Sequence, residues 1–150
     1  HGRAAIERIL PHRDPFLFVD QITEIDLSQM SLRGRRKLDP KDPVFGGHFP
    51  GEPVWPGVLQ IEAMGQLGLC LMHFAGSNTV EVGPDARPAR LRAIRIHHAL
   101  FQDAALPGDD LEILGKVLRS DDYTAVCAGQ LIRGETIVSI GIMEVYFVDE

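Results

Sequence analysis

Apolar residues recur along this chain with two different periods. Ala4–Leu10 predicts a short amphipathic helix that Pro11 stops, and Pro11–Pro15 predicts a turn in which two prolines bracket His12, Arg13 and Asp14. Phe18–Leu27 and Met30–Leu38 predict two strands joined near Ser28. In the second, Leu32, Gly34, Arg36 and Leu38 alternate with Arg33, Arg35 and Lys37. Asp39–Pro53, with four prolines and three glycines, predicts a long loop. Pro56–Ala75 (PGVLQIEAMGQLGLCLMHFA) then predicts a helix, with Pro56 placed in its first turn. Gly76–Pro88 is a polar, mobile connection. Strands are expected at Ala89–Phe101, Leu111–Leu118, Tyr123–Ile132 and Thr136–Val148, separated by turns at Pro107-Gly108-Asp109, Ser120-Asp121-Asp122 and Arg133-Gly134-Glu135.

The helix decides the architecture. It is apolar nearly all round, so other structure must wrap it. Its length would suit a bilayer, but Gln60, Glu62, Gln66 and His73 interrupt it, and no aromatic or basic belts flank both ends. The expected fold is therefore α+β: one domain over residues 1–150, with a central hydrophobic helix and an antiparallel sheet of five or six strands curled around it. Gly57, Gly65 and Gly68 would let the sheet approach, at about 1 kcal/mol of helix propensity each. The apolar surface left over on such a helix calls for a homodimer.

Composition narrows the class. The 150 residues carry a formal net charge of −6 and are 45% hydrophobic, a balance that excludes intrinsic disorder and argues against nucleic-acid binding. Cys70 and Cys127 sit in apolar runs and read as buried thiols in a reducing compartment. No signal-peptide core follows His1-Gly2-Arg3, so the expected setting is cytoplasmic, and the missing initiator Met points to a tag remnant or a domain cut from a longer chain. His97-His98 is a poor metal pair, because adjacent strand residues face opposite ways; no metal or cofactor is expected.

The chemistry concentrates around residues 46–66. His48 lies in Gly46-Gly47-His48-Phe49-Pro50-Gly51, where glycine and proline shape a loop and allow close backbone approach to a ligand; it is either a base or a mere turn residue. Glu62 is a lone carboxylate in an apolar helix. It needs a partner, a cavity or a subunit interface, and an i, i+4 hydrogen bond to Gln66 would satisfy it structurally. A histidine base and a carboxyl acid form a pair with separated roles. The free N–H of Gly57 in the first helical turn adds a donor where negative charge develops on a carbonyl oxygen. The three suit proton abstraction beside a carbonyl followed by loss of a β leaving group.

Three stretches then become recognisable. These are Leu10-Pro11-His12-Arg13-Asp14-Pro15-Phe16-Leu17-Phe18-Val19-Asp20, Gly47-His48-Phe49-Pro50-Gly51 with Pro53-Val54, and Pro56-Gly57-Val58-Leu59 with Ile61-Glu62-Ala63-Met64 and Gln66. With Pro107-Gly108-Asp109 they span nearly the whole chain. The sequence resembles the hot-dog-fold (3R)-hydroxyacyl-acyl-carrier-protein dehydratases of type II fatty-acid synthesis, and glutamate at position 62 favours the dehydratase-only branch.

The resemblance implies a dehydration of a (3R)-3-hydroxyacyl thioester to the trans-2-enoyl thioester, in fatty-acid or polyketide biosynthesis. It makes His48 the base that removes the α proton and Glu62, from the other subunit, the group that handles the departing 3-hydroxyl. Gly57 N–H would bind the thioester carbonyl, the Val54 carbonyl would orient His48, and Gln66 would hold Glu62. Phe49, Trp55 and Val58 would line the acyl channel. His12 and Arg13 read as a structural turn. The implied partners are an acyl carrier protein or another acyl thioester and a second copy of the chain, in a homodimer or a trimer of dimers. Two features depart from the family pattern. Trp55 replaces a smaller residue, and Leu100, Gln102, Asp103 and Ala104 replace a basic stretch, leaving Arg87, Arg90, Arg92 and Arg95 as the basic group nearby. The competing functions on this fold are an acyl-thioester hydrolase and a non-catalytic acyl-binding or dimerisation domain of a larger synthase.

Overall fold

Three segments before the long helix position the rest. The computed structural model describes residues 1–148; the last two residues of the expected domain lie outside the described ones. Helix α1 (Arg3–Ile9) buries Ile6 and Ile9 and ends ahead of Pro11. Strands β1 (Gln21–Asp26) and β2 (Ser31–Lys37) form an antiparallel hairpin. β1 starts later than its apolar run suggests, because the Phe18 N–H is taken by the side-chain oxygen of Gln66 at 2.8 Å rather than by a strand. The expected loop holds one further turn of helix, α2 (Val44–Gly47), which carries no apolar period and buries Phe45 alone.

Helix α3 (Gly57–Ser77) is the central element. Pro56 precedes it with extended ψ, and Asn78 closes it in the left-handed conformation. Four long strands follow: β3 (Leu91–Phe101), β4 (Asp110–Ser120), β5 (Thr124–Arg133) and β6 (Thr136–Phe147). The sheet runs β1-β2-β4-β5-β6-β3, and all its neighbouring strands are antiparallel. It curls over α3, touching the helix through β2 to β6. This is the hot-dog architecture.

The glycines that admit the helix lie mainly on the sheet. Gly115, Gly129 and Gly141 stand opposite one another across β4, β5 and β6. A Cβ on Gly129 would meet Met64 Cβ at 2.7 Å, and one on Gly141 would meet Ile61 Cδ1 at 3.0 Å. On the helix, a Cβ at Gly65 would only reach ordinary contact with Met143, and one at Gly68 would meet nothing within 4 Å. The row of bare backbone lets Ile61, Met64 and Leu67 lie close on the strands, and apolar packing at that distance supplies the core. Although α3 is long and apolar enough to cross a membrane, it is this core. β3 forms one edge of the sheet, opposite β1, with Ile94, Ile96, Leu100 and Phe101 each at least half exposed.

Candidate active site

His48 caps the C-terminus of α2, its N–H bonded to the Val44 carbonyl. The following peptide, His48–Phe49, is cis. Val54 grips the loop from both sides: its N–H donates to the His48 carbonyl at 2.8 Å, and its carbonyl lies 2.8 Å from His48 Nδ1. A carbonyl can only accept, so Nδ1 carries a proton, and in the neutral ring Nε2 is then the nitrogen with the lone pair, the tautomer a base needs. Phe49 stacks on the imidazole with ring centroids 4.0 Å apart and is 55% exposed. The backbone N–H of Trp55 donates to the Ala105 carbonyl at 2.8 Å, pinning the loop to the connection between β3 and β4.

The loop delivers the chain into α3 at Gly57. As the first helical residue, Gly57 has an N–H with no intrahelical acceptor, at the positive end of the helix dipole. Its missing side chain matters, since a Cβ there would lie 2.7 Å from the Phe101 ring. His48, Val54, Trp55, Gly57, Val58, Gln60, Phe101 and Asp103 together line an open cavity of about 370 Å³. Of the residues expected in the channel, Trp55 and Val58 belong to this wall and Phe49 does not. Trp55 is 1% exposed and packs edge-on against Phe18, so it faces the interior rather than a neighbouring subunit. Val58, by contrast, is 76% exposed. Gln60, Phe101 and Asp103 are additions that the sequence reading did not assign to a site.

Glu62 and Gln66 are absent from this wall. They lie further along α3, where Gln66 Nε2 donates to Glu62 Oε1 at 2.9 Å and to the Phe16 carbonyl at 2.9 Å. The Glu62 carboxyl is one-third exposed, and His12 Nε2 lies 3.4 Å from its Oε1. His12, expected as part of a structural turn, is the one basic group within 4.0 Å of Glu62 among the described residues. Nothing in the apolar or polar pattern around residue 12 signals that proximity. Arg13 turns back to the carbonyls of Leu10 and His12. Within one chain, His48 thus lines the cavity and Glu62 does not.

Other groups stand apart from this chemistry. His97 is taken by Glu144 at 2.9 Å on the sheet face away from α3. An apolar groove of about 400 Å³ on that same face, lined by Leu114, Leu118, Ile140 and Ile142 with Arg33 and Lys116, holds no histidine and no helix terminus.

Known proteins share this sequence pattern and fold. The 3-hydroxyacyl-[acyl-carrier-protein] dehydratase FabZ of a Nitratiruptor species is 33% identical over 145 residues, covering 97% of this chain and 96% of the relative. The protein of the same name from Sulfurimonas denitrificans is 34% identical over 145 residues, with 97% and 95% covered. Among solved structures, a chain of the dehydratase heterocomplex ApeI:P from Xenorhabdus doucetiae superposes with a TM-score of 0.73 at 19% identity, covering 97% of this chain and 91% of that one, which shows the shared fold. The FabA-like domain matches residues 10–141, and the chain belongs to that family.

Proposed function

We propose that the chain is a hydro-lyase that converts a (3R)-3-hydroxyacyl thioester, carried on acyl carrier protein, to the trans-2-enoyl thioester in fatty-acid or polyketide biosynthesis. The observation that carries this reading is the shared cavity of His48 and Gly57, a base of fixed tautomer beside a helix N-terminus. The thioester carbonyl accepts the Gly57 N–H, which stabilises negative charge as it builds on that oxygen. His48 Nε2 removes the proton from C2. The C2–C3 double bond forms as the C3–O bond breaks, and Glu62 gives its proton to the departing hydroxyl, so that water leaves. The chemistry is acid–base throughout and calls on no metal or redox cofactor.

In this reading Glu62 comes from a second copy of the chain. Glu62 lies outside the cavity that His48 lines, which supports it, and so does the β3 edge with its exposed Ile94, Ile96 and Leu100. Phe101, at the end of that edge, lines the His48 cavity, so an edge-to-edge dimer would abut the site. Dimers could in turn assemble as trimers, in a cytoplasmic setting. The test is an incubation with a 3-hydroxyacyl thioester on acyl carrier protein, followed for enoyl product and for free thiol. Enoyl product without thiol release supports the dehydratase; thiol release makes the chain a hydrolase, and neither makes it a binding domain.

A further inference from the structure

We infer that His12 is a positioning residue for the proton donor, and that the two oxygens of the Glu62 carboxyl have separate tasks: Oε1 is held in place and Oε2 carries the proton. The inference rests on the dehydratase reading and deepens it, from the residue that donates to the atom that does. Oε1 faces two nitrogens. Gln66 Nε2 donates to it at 2.9 Å, and His12 Nε2 lies 3.4 Å away. Among the described residues, no hydrogen bond or ion pair reaches Oε2. The Glu62 side chain is one-third exposed, as a group that meets a substrate must be.

The histidine proton has one good place. His12 Nδ1 is buried and has no partner among the described residues. Buried N–H groups without an acceptor are rarer than acceptors without a donor, so the ring proton belongs on Nε2, aimed at Glu62. The ring stacks on Phe16 with centroids 6.4 Å apart, and Gln66 fixes that segment through the Phe16 carbonyl and the Phe18 N–H. One glutamine thus places both the carboxyl and the histidine beside it. With Oε1 facing two donors, the acid's own proton sits on Oε2. When that proton leaves for the departing hydroxyl, the charge of the new carboxylate spreads to Oε1, where both N–H groups already point. Hydrogen bonds to an ionised acceptor are about twice as strong as neutral ones, so the pair favours the step over the resting acid. The 3.4 Å separation is long, and catalytic hydrogen bonds commonly tighten once substrate is bound.

The experiment separates protonation of the leaving group from every other part of the reaction. A (3R)-3-hydroxyacyl thioester needs a proton on its departing oxygen. The matching 3-chloroacyl thioester does not: His48 takes the C2 proton, the C3–Cl bond breaks, chloride leaves as an anion and the same enoyl thioester forms. His12→Phe keeps a ring to stack on Phe16. It should lower kcat about tenfold on the hydroxyl substrate with KM nearly unchanged, and keep chloride elimination within about twofold of the native protein. His12→Gln, which can still donate to Oε1, should recover most of the loss. Glu62→Gln should show the same split between the two substrates in larger measure, and thermal unfolding confirms that each variant folds. An equal fall on both substrates from His12→Phe would overturn the inference, because the ring would then shape the site without acting on Glu62. Full dehydration by that variant would overturn it too. Normal dehydration by Glu62→Gln, or no enoyl product from the native protein, would instead sink the dehydratase reading and the inference with it.

Discussion

The side-chain amide of Gln66 donates to Glu62 Oε1 at 2.9 Å from one turn further along α3. The same amide accepts the Phe18 N–H at 2.8 Å and donates to the Phe16 carbonyl at 2.9 Å. One buried residue thus ties the carboxyl to the segment between α1 and β1, and holds that segment out of the sheet. Gln66→Leu removes all three bonds at once. It should lower stability by about 1–3 kcal/mol, because a buried N–H loses its acceptor. It should also reduce turnover, because Glu62 loses its tether. Denaturant unfolding and steady-state kinetics on one preparation check both; full activity in the destabilised variant would show that the tether serves only the fold.

His48→Ala should lower kcat by about 10²–10⁴-fold with little change in thermal midpoint, since the ring packs chiefly on exposed Phe49. Glu62→Gln should do the same through loss of the proton donor. If each site draws the two residues from different subunits, mixing the two inactive variants should restore activity to about a quarter to a half of the sites, by subunit statistics across a two-fold interface. Verified heterodimers that stay inactive would place both residues in one subunit's site.

His12 reaches Glu62 Oε1 at 3.4 Å, within ion-pair range but longer than a good hydrogen bond. The expected effect is correspondingly small. His12→Phe should lower kcat by about tenfold and alter the pH profile, while His12→Gln, which can still donate, should recover most of the loss. Two variants that share a lower melting temperature and an unchanged pH profile would return His12 to a structural role.

Burial pushes the Cys127 thiol up to about 11, and it pushes Cys70, fully enclosed on the inner side of α3, further still. At pH 8 only about one Cys127 in a thousand would be thiolate, the reactive form. Native protein should therefore react with a disulfide reagent only as fast as it unfolds, and denatured protein should release both thiols at once. Rapid labelling of either cysteine in the native state would show that this part of the core opens.

The sequence carried the elements that repeat with a period. α3 shows as a long apolar run begun by Pro56, and the long strands show through alternation and turn residues. His48 and Gly57 were legible because they sit within ten residues of each other, on a loop that must feed a helix, whereas Val54 came only with the family resemblance. What stayed hidden depends on distant parts of the chain meeting. β3 crosses to the far edge beside β6, His12 comes up against Glu62, and Gln60 joins the wall of the His48 cavity. No local period encodes any of these. α2 was missed for the opposite reason, being too short to show one.

The glycines offer the clearest separation between helix propensity and packing. Gly129 stands on β5 where its Cβ would lie 2.7 Å from Met64 Cβ, close to the helix backbone and unable to swing aside. Gly129→Ala should therefore push α3 off the sheet, costing about 1–3 kcal/mol as overpacked cores do. Gly68 lies inside α3 itself, where an added Cβ meets nothing within 4 Å. There the substitution should remove the backbone-entropy penalty of glycine and stabilise the chain by about 0.5–1 kcal/mol. Denaturant unfolding of the two variants at one protein concentration should move their midpoints in opposite directions. A destabilised Gly68→Ala whose midpoint falls further on dilution would mean that a second subunit packs against this turn of the helix. A neutral Gly129→Ala would mean that the sheet yields where the row of bare backbone predicts it cannot.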